Sequence, residues 1–256
     1  MISQSPLIIR RVEEACLNGW PALQSVMLDG WQLRFSRGHT RRANSISLLW
    51  PSSLPIEDKL RACESLYARH HLPTIFRLST SNAETIDAAL DEAGYGPRKD
   101  ETCVLYRDLA ENPAAASPDT VIVQTSAGDA WFDALAQIQR LSMPAQANSR
   151  ALFDAVAVPA GFAASLAPDG RIAAVAFGAV HDGIVCLNAV ATDPAFQRKG
   201  HARLAVAAIL AWAQEQEGAN GACLPVIADN AAALALYHAL GFSTEISRYS
   251  YRMKQS

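Results

Sequence analysis

The stretch IVCLNAVATDPAFQRKGHA, residues 184–202, decides how this chain reads. It begins as an apolar strand at 184–191 and turns at Asp193-Pro194. It then passes through the hexamer QRKGHA (197–202) and enters a long helix at 201–217. Gly200 and the small Ala202 let backbone N–H groups approach a ligand closely. The helix N-terminus behind them adds unpaired donors and partial positive charge. Arg198 and Lys199 add mobile charge at the rim. Together these residues suit a pyrophosphate. An ordinary strand-to-helix turn carrying solvated charges is the alternative reading of the same segment.

Outward from this stretch, segments of period 2 alternate with segments of period 3.6, which makes the chain α/β or α+β. Toward the C-terminus come a strand at 222–226, a helix at 231–239 and a last strand at 245–253. Before it lie a strand at 121–124, helices at 130–141 and 150–156, and strands at 161–166 and 171–180. AENPAAASPD (110–119), with two prolines and no apolar periodicity, reads as a linker. It separates a first domain, 1–110, from a second, 119–256. The first domain reads as a helix at 12–26, strands at 31–37 and 44–50, a helix at 56–70, a strand at 74–78, a helix at 83–93 and a strand at 102–107. Each half ends alike: a strand leads to Asn82 or Asn230 as N-cap, then to a helix closed by Gly94-Tyr95 or Gly241-Phe242. The offsets, 148 at the Asn and 147 at the Gly, favour an internal duplication.

Composition narrows the function classes. Hydrophobic residues make up 50% of the 256, enough for packed cores and too many for intrinsic disorder. Twenty-two basic against 25 acidic residues give a net charge of −3, too balanced for a general nucleic-acid or anionic-membrane binder. Cys16, Cys63, Cys103, Cys186 and Cys223 are odd in number and lack CxxC spacing. They read as buried small hydrophobes in a reducing compartment, with no metal site expected. No signal pattern and no long apolar run occurs, so a cytoplasmic protein is expected.

Gln197, Gly200 and Ala202 meet the Arg/Gln-x-x-Gly-x-Gly/Ala pattern, and this segment resembles motif A of the GNAT superfamily of acetyl-CoA-dependent N-acetyltransferases. NAAALALYHALGF (230–242) resembles the family's motif B, with its Asn, a Tyr seven residues on and a closing Gly-Phe. The resemblance covers about residues 119–256, and order, spacing and element types agree. It implies that Val190, Ala191 and Thr192 bond pantetheine through their backbone. Gln197, Arg198, Lys199, Gly200, His201, Ala202 and Arg203 would belong to the cofactor site, those from Arg198 onward surrounding the pyrophosphate. Asn230 would lie beside the pantetheine arm, and Tyr237 would protonate the leaving thiolate. Asn188, the polar side chain of the central strand besides Cys186, joins Tyr237 as a catalytic candidate.

The acceptor side is less legible. The strand 184–190 has no carboxylate to act as general base, and Asp182, Glu245, His181 and His238 are ambiguous substitutes. SMPAQAN (142–148) reads as an uncharged loop beside the acceptor. In the first half, PSSLPI (51–56) holds the place of motif A without a glycine, and Ala89-Leu90 the place of Tyr237. This half therefore resembles a degenerate GNAT copy that has lost acetyl-CoA binding. Arg37, His39, Arg41 and Arg42 near Gly38 read as a solvated hairpin loop or as a site for an acidic acceptor or the adenosine 3′-phosphate.

The expectation is two GNAT-like domains, each a mixed, mostly antiparallel sheet flanked by helices. The protein would be a monomer or homodimer, with acetyl-CoA as co-substrate and a small-molecule or peptide amine as acceptor. No nucleic acid and no membrane are expected as partners. The alternative is a non-catalytic acyl-CoA sensor or partner-binding module.

Overall fold

The structure is a computed structural model that describes residues 5–80, 86–114 and 120–254. Its elements in chain order are α1 (Pro6–Asn18), β1 (Gln24–Leu28), β2 (Trp31–Phe35), β3 (Ile46–Leu48), α2 (Ile56–Arg69), β4 (Ile75–Ser79), α3 (Asp87–Glu92) and β5 (Lys99–Asp108). There follow β6 (Val121–Gln124), α4 (Asp129–Ile138), α5 (Met143–Asp154), β7 (Ala160–Leu166), β8 (Ile172–His181), β9 (Ile184–Thr192), α6 (His201–Glu217), β10 (Gly221–Ile227), α7 (Ala231–Ala239) and β11 (Thr244–Met253). Among the described residues no helix is long and apolar enough to cross a membrane.

The chain forms two compact units. Unit 1 takes residues up to Pro21, then 104–226 and 230–246; unit 2 takes 22–103, 227–229 and 247 onward. These units do not follow the boundary expected at 110–119. Helix α1 belongs with the second half, and the last strands are exchanged between the halves. The 104–108 part of β5 lies beside β10 in unit 1, and the 247–253 part of β11 pairs with β4 in unit 2. The Asn82 cap and residues 115–119 of the expected linker lie outside the described residues.

In unit 1, β6, β7, β8 and β9 run antiparallel in sequence, and β10 joins β9 in parallel through the α6 crossover. Helix α6 packs along this sheet with Ala205, Ala208 and Ile209 buried, and the two alanines let the helix lie close to the strands. On β8, Phe177 meets Phe162 and Phe153, and Trp131 of α4 stands edge-on to both of those rings. Burial of each such side chain contributes about 1.5–3 kcal/mol.

In unit 2, β1, β2 and β3 are antiparallel, β3 and β4 run parallel through the α2 crossover, and β11 is antiparallel to β4. Trp31, Phe35, Tyr67, Phe76 and Leu90 belong to one core beneath α2 and α3. Among the described residues each unit thus contains a parallel pair joined by a helical crossover.

Three local expectations are corrected. The helix expected at 12–26 runs from Pro6 to Asn18, with Ser5 Oγ accepting from Ile8 N–H, Pro6 at its start and Gly19 at its end. Residues 24–28, assigned in part to that helix, form β1. They pair with β2 across a two-residue turn in which Asp29 (φ 42°) and Gly30 (φ 84°) are both left-handed. SMPAQAN is no loop: Ser142 and Pro144 open α5, which runs on to Asp154, within the helix expected at 150–156.

Candidate acyl-CoA site

The site is built on β9. Ile184 to Leu187 are buried, and the parallel register with β10 runs from Ile184↔Gly221 to Cys186↔Cys223 and stops there. β8 continues to pair, but with a slip: Phe177 faces Asn188 and Val175 faces Ala191. Two residues, Ala189 and Val190, thus stand against Ala176 alone, and Ala189 takes φ 49°. This is a β-bulge, which bends the strand and leaves the extra residue outside the ladder. Val190, Ala191 and Thr192 beyond it are half-buried. The parallel register with β10 thus ends before the bulge, while β8 pairs on past it.

The connection to α6 is ordered by its own residues. Asp193 Oδ1 accepts from Ala195 N–H (2.8 Å) and caps a short 3-10 turn, Pro194–Phe196. Phe196 is buried, with the Arg171 guanidinium 4.8 Å and the Lys199 ammonium 5.2 Å from its ring centroid. Lys199 Nζ also donates to Ala195 O (3.1 Å). Arg198 (φ 62°) and Gly200 (φ 88°) then both take left-handed conformations. A Cβ placed on Gly200 would meet nothing within 4 Å, so this backbone faces open space.

No side chain caps α6, leaving its first N–H groups and dipole unopposed by a protein carboxylate. Gln197, Arg198, Lys199, Gly200 and Arg203 are exposed, whereas His201 and Ala202 are half-buried. His201 Nδ1 lies 3.0 Å from Ser165 Oγ on β7, and its ring stands edge-on to Phe196. Those contacts fix the imidazole to the scaffold.

On the other side, Asn230 Oδ1 accepts from Ala233 N–H (3.0 Å) and caps α7, so that oxygen is engaged while the residue stays exposed. Tyr237, on the buried side of α7, stacks edge-on to Phe242, and burial pushes its phenol up to about 12. It therefore keeps its proton at neutral pH. Asn188 is buried: its Nδ2 donates to Gly19 O (3.3 Å), and its Oδ1 has no hydrogen-bond partner.

The substitute bases are placed differently. Asp182 pairs with Arg11 Nε (2.5 Å), and His181 Nε2 stands 3.9 Å from Glu14; both residues precede the paired end of β9. With about 3.4 Å per residue, the six steps from Ile184 to Val190 put roughly 20 Å of strand between that end and Val190. His238 Nδ1 contacts Phe242 O (3.1 Å), and Glu245 is half-buried on β11.

The matching family is described as "Probable histone acetyltransferase Rv0428c C-terminal", and its match spans residues 8–252. The chain belongs to this family. It is thereby placed in the GNAT superfamily, as the two motifs imply. A relative in Bacillus subtilis (strain 168), named "Uncharacterized N-acetyltransferase YobR", is 27% identical over 252 residues, covering 96% of this chain and 99% of that one. Among solved structures, a GCN5-related N-acetyltransferase from Kribbella flavida superposes with TM-score 0.70 at 16% identity, covering 100% of this chain and 97% of that one. A tandem GNAT protein from the clavulanic acid biosynthesis pathway gives 0.64 at 13%, covering 82% and 74%. At such identities the likeness concerns the fold.

Within this family member the structure also gathers residues that sequence spacing did not connect. Cys16 of α1, Cys186 of β9 and Cys223 of β10 bring their Sγ atoms within 4.8 Å of one another, all buried. The Cys16 thiol is raised well above its usual range by its bond to Cys186 and by burial. The Cys223 thiol is raised by its bonds to Cys16 and Cys186 and by burial. The loop of Arg37, His39, Arg41 and Arg42, in unit 2, is wound around Asn44. Its Oδ1 accepts from Ser36 and Gly38 N–H, and its Nδ2 donates to the His39 and Thr40 carbonyls. Arg41 pairs with Asp100, and burial lowers the His39 pKa.

Proposed function

We propose that unit 1 binds acetyl-CoA and transfers its acetyl group to a primary amine by direct attack. One observation carries this reading: a bulged strand end at Ala189 adjoins a left-handed, uncapped turn at Arg198–Gly200. A linear thioester needs a slot with free backbone groups, and its pyrophosphate needs unopposed N–H donors. Val190, Ala191 and Thr192 supply the first, and the backbone from Arg198 to Arg203 the second, with Gln197 and Asn230 at the flanks.

In this scheme a neutral amine attacks the thioester carbon, and a backbone N–H past the bulge polarises the carbonyl oxygen. The C–S bond breaks, and the departing thiolate takes the Tyr237 proton. Asn188, held at Gly19, acts by shaping the strand and not by touching the amine. The amine loses its proton to water, because β9 carries no carboxylate. The N-terminal half acts as a tandem, degenerate GNAT copy without acetyl-CoA. A cytoplasmic monomer or homodimer, with no nucleic acid or membrane as partner, completes the reading.

The test is acetyl-CoA consumption across amine classes. The family's description names a histone acetyltransferase, so lysine-bearing and N-terminal peptides belong in the panel beside small amines. One acetyl-CoA bound per chain with turnover of at least one class supports the proposal. Binding without turnover on any class makes the protein an acyl-CoA sensor, and absence of binding removes the site.

A further inference from the structure

The crossover connection of unit 2 has a different content from that of unit 1. It runs from the end of β3 to α2 through Leu49-Trp50-Pro51-Ser52-Ser53-Leu54-Pro55, and its backbone donors already hold an anion. Ser53 N–H and Leu54 N–H both donate to Asp29 Oδ2 at 2.9 Å, and Ser53 Oγ donates to Oδ1 at 2.9 Å. Asp29 comes from the tip of the β1–β2 hairpin. Its turn can approach because Gly30 has no Cβ, which would stand 2.5 Å from Trp50 O. The protein's own carboxylate thus fills the place that a phosphate takes at such a turn.

Lys59 completes the neutralisation. Its side chain is fully buried, its Nζ donates to Asp29 O (2.7 Å) and to Ser52 Oγ, and it lies 3.4 Å from Asp29 Oδ2. The same ammonium sits 3.8 Å from the Trp31 ring centroid. All three of its hydrogens have acceptors in reach, so no charge is left over to draw in an anion.

Beside this neutral pair lies a cavity of about 530 Å³ walled by Trp31, Leu48, Trp50, Leu54, Ile56 and Lys59. That is the size of small-molecule sites, which are mostly apolar with a few placed polar groups. Trp50 and Leu54 are 57% and 51% exposed, an unusual position for two large apolar side chains on one short loop. We propose that unit 2 carries a second ligand site, for an uncharged apolar small molecule of aromatic-ring size, and that coenzyme A is excluded from it by Asp29. The inference stands apart from acetyl transfer, since every residue in it belongs to unit 2.

Fluorescence titration of the full chain with neutral phenylnaphthylamine, and separately with anilinonaphthalene sulfonate, tests it. The neutral probe should saturate at one site, bind about ten-fold more tightly than the sulfonate, and resist displacement by acetyl-CoA. Trp50→Ala, at an exposed position, should weaken the neutral probe by about ten-fold with the melting temperature unchanged. Asp29→Asn should reverse the preference by leaving Lys59 uncompensated. Non-saturable binding, equal affinity for the sulfonate, displacement by acetyl-CoA, or an unaffected Trp50→Ala variant would each overturn the proposal. Should Asp29→Asn fail to fold, Leu54→Ala takes its place, with about ten-fold weaker neutral-probe binding expected and unchanged binding overturning the site.

Discussion

Replacing Tyr237 by Phe isolates one proton. The ring keeps its edge-on contact with Phe242 and its buried place on α7, so the fold has little reason to change. With the phenol at about 12, roughly one molecule in 10⁵ is ionised at pH 7, and the group is a fully loaded donor. Proton transfer from a positioned acid accelerates a step by about 10²–10⁴, or about 3–5 kcal/mol of barrier. The variant should lose that factor in kcat while its acetyl-CoA affinity, measured by calorimetry, stays within about three-fold. The pH profile adds a second reading: donation by a group at about 12 leaves kcat without an alkaline decline below about pH 11. Unchanged kcat in Tyr237→Phe would refute the reasoning, as would a loss of affinity with kcat intact.

Gly200→Glu should abolish acetyl-CoA binding by placing like charge where backbone donors face open space. Gly200→Ala should cost about 1–2 kcal/mol of stability from the left-handed backbone alone, and equal binding by both variants would remove the turn from the site. Asp29, held down at about 2 chiefly by the Leu54 N–H, stabilises unit 2 above the unfolded carboxylate value of about 4. That contribution is lost as pH falls from about 4 to about 2, so urea midpoints of the wild type should fall more steeply there than those of Asp29→Asn; parallel curves would contradict this. The buried thiols of Cys16 and Cys223 should ignore a charged disulfide reagent in the native protein and react on unfolding. Rapid labelling of either in the native state, read by mass spectrometry, would show that the α1–β9 contact opens.

Much of unit 1 was legible because its signals are local. The pattern of Gln197, Gly200 and Ala202 places a turn before α6, and Asn230 caps α7 as its position requires. The bulge at Ala189 was not legible, since two residues against one is a property of pairing with β8. The Asp29-Gly30 hairpin carried a signal that the helical reading of 12–26 concealed: an Asp-Gly pair between two apolar segments marks a two-residue β-turn. Ser142 with Pro144 likewise announces a helix, but the uncharged, weakly periodic residues after them read as a loop. The thiol cluster and the Asp29 anchor join residues far apart in the chain. No local pattern encodes such contacts.

The exchange of chain segments between the units has a consequence for folding. Unit 2 contains most of the first hundred residues, yet its β4 waits for β11, whose paired residues begin at Tyr249. Cys16 of α1 likewise meets Cys186 of β9, 170 residues further along the chain. Each unit therefore closes on contacts between residues about 170 apart in the chain, the kind of non-local pairing that slows folding. Removing β11 would leave residues 184–242 intact in sequence and would still deprive the N-terminal half of a strand.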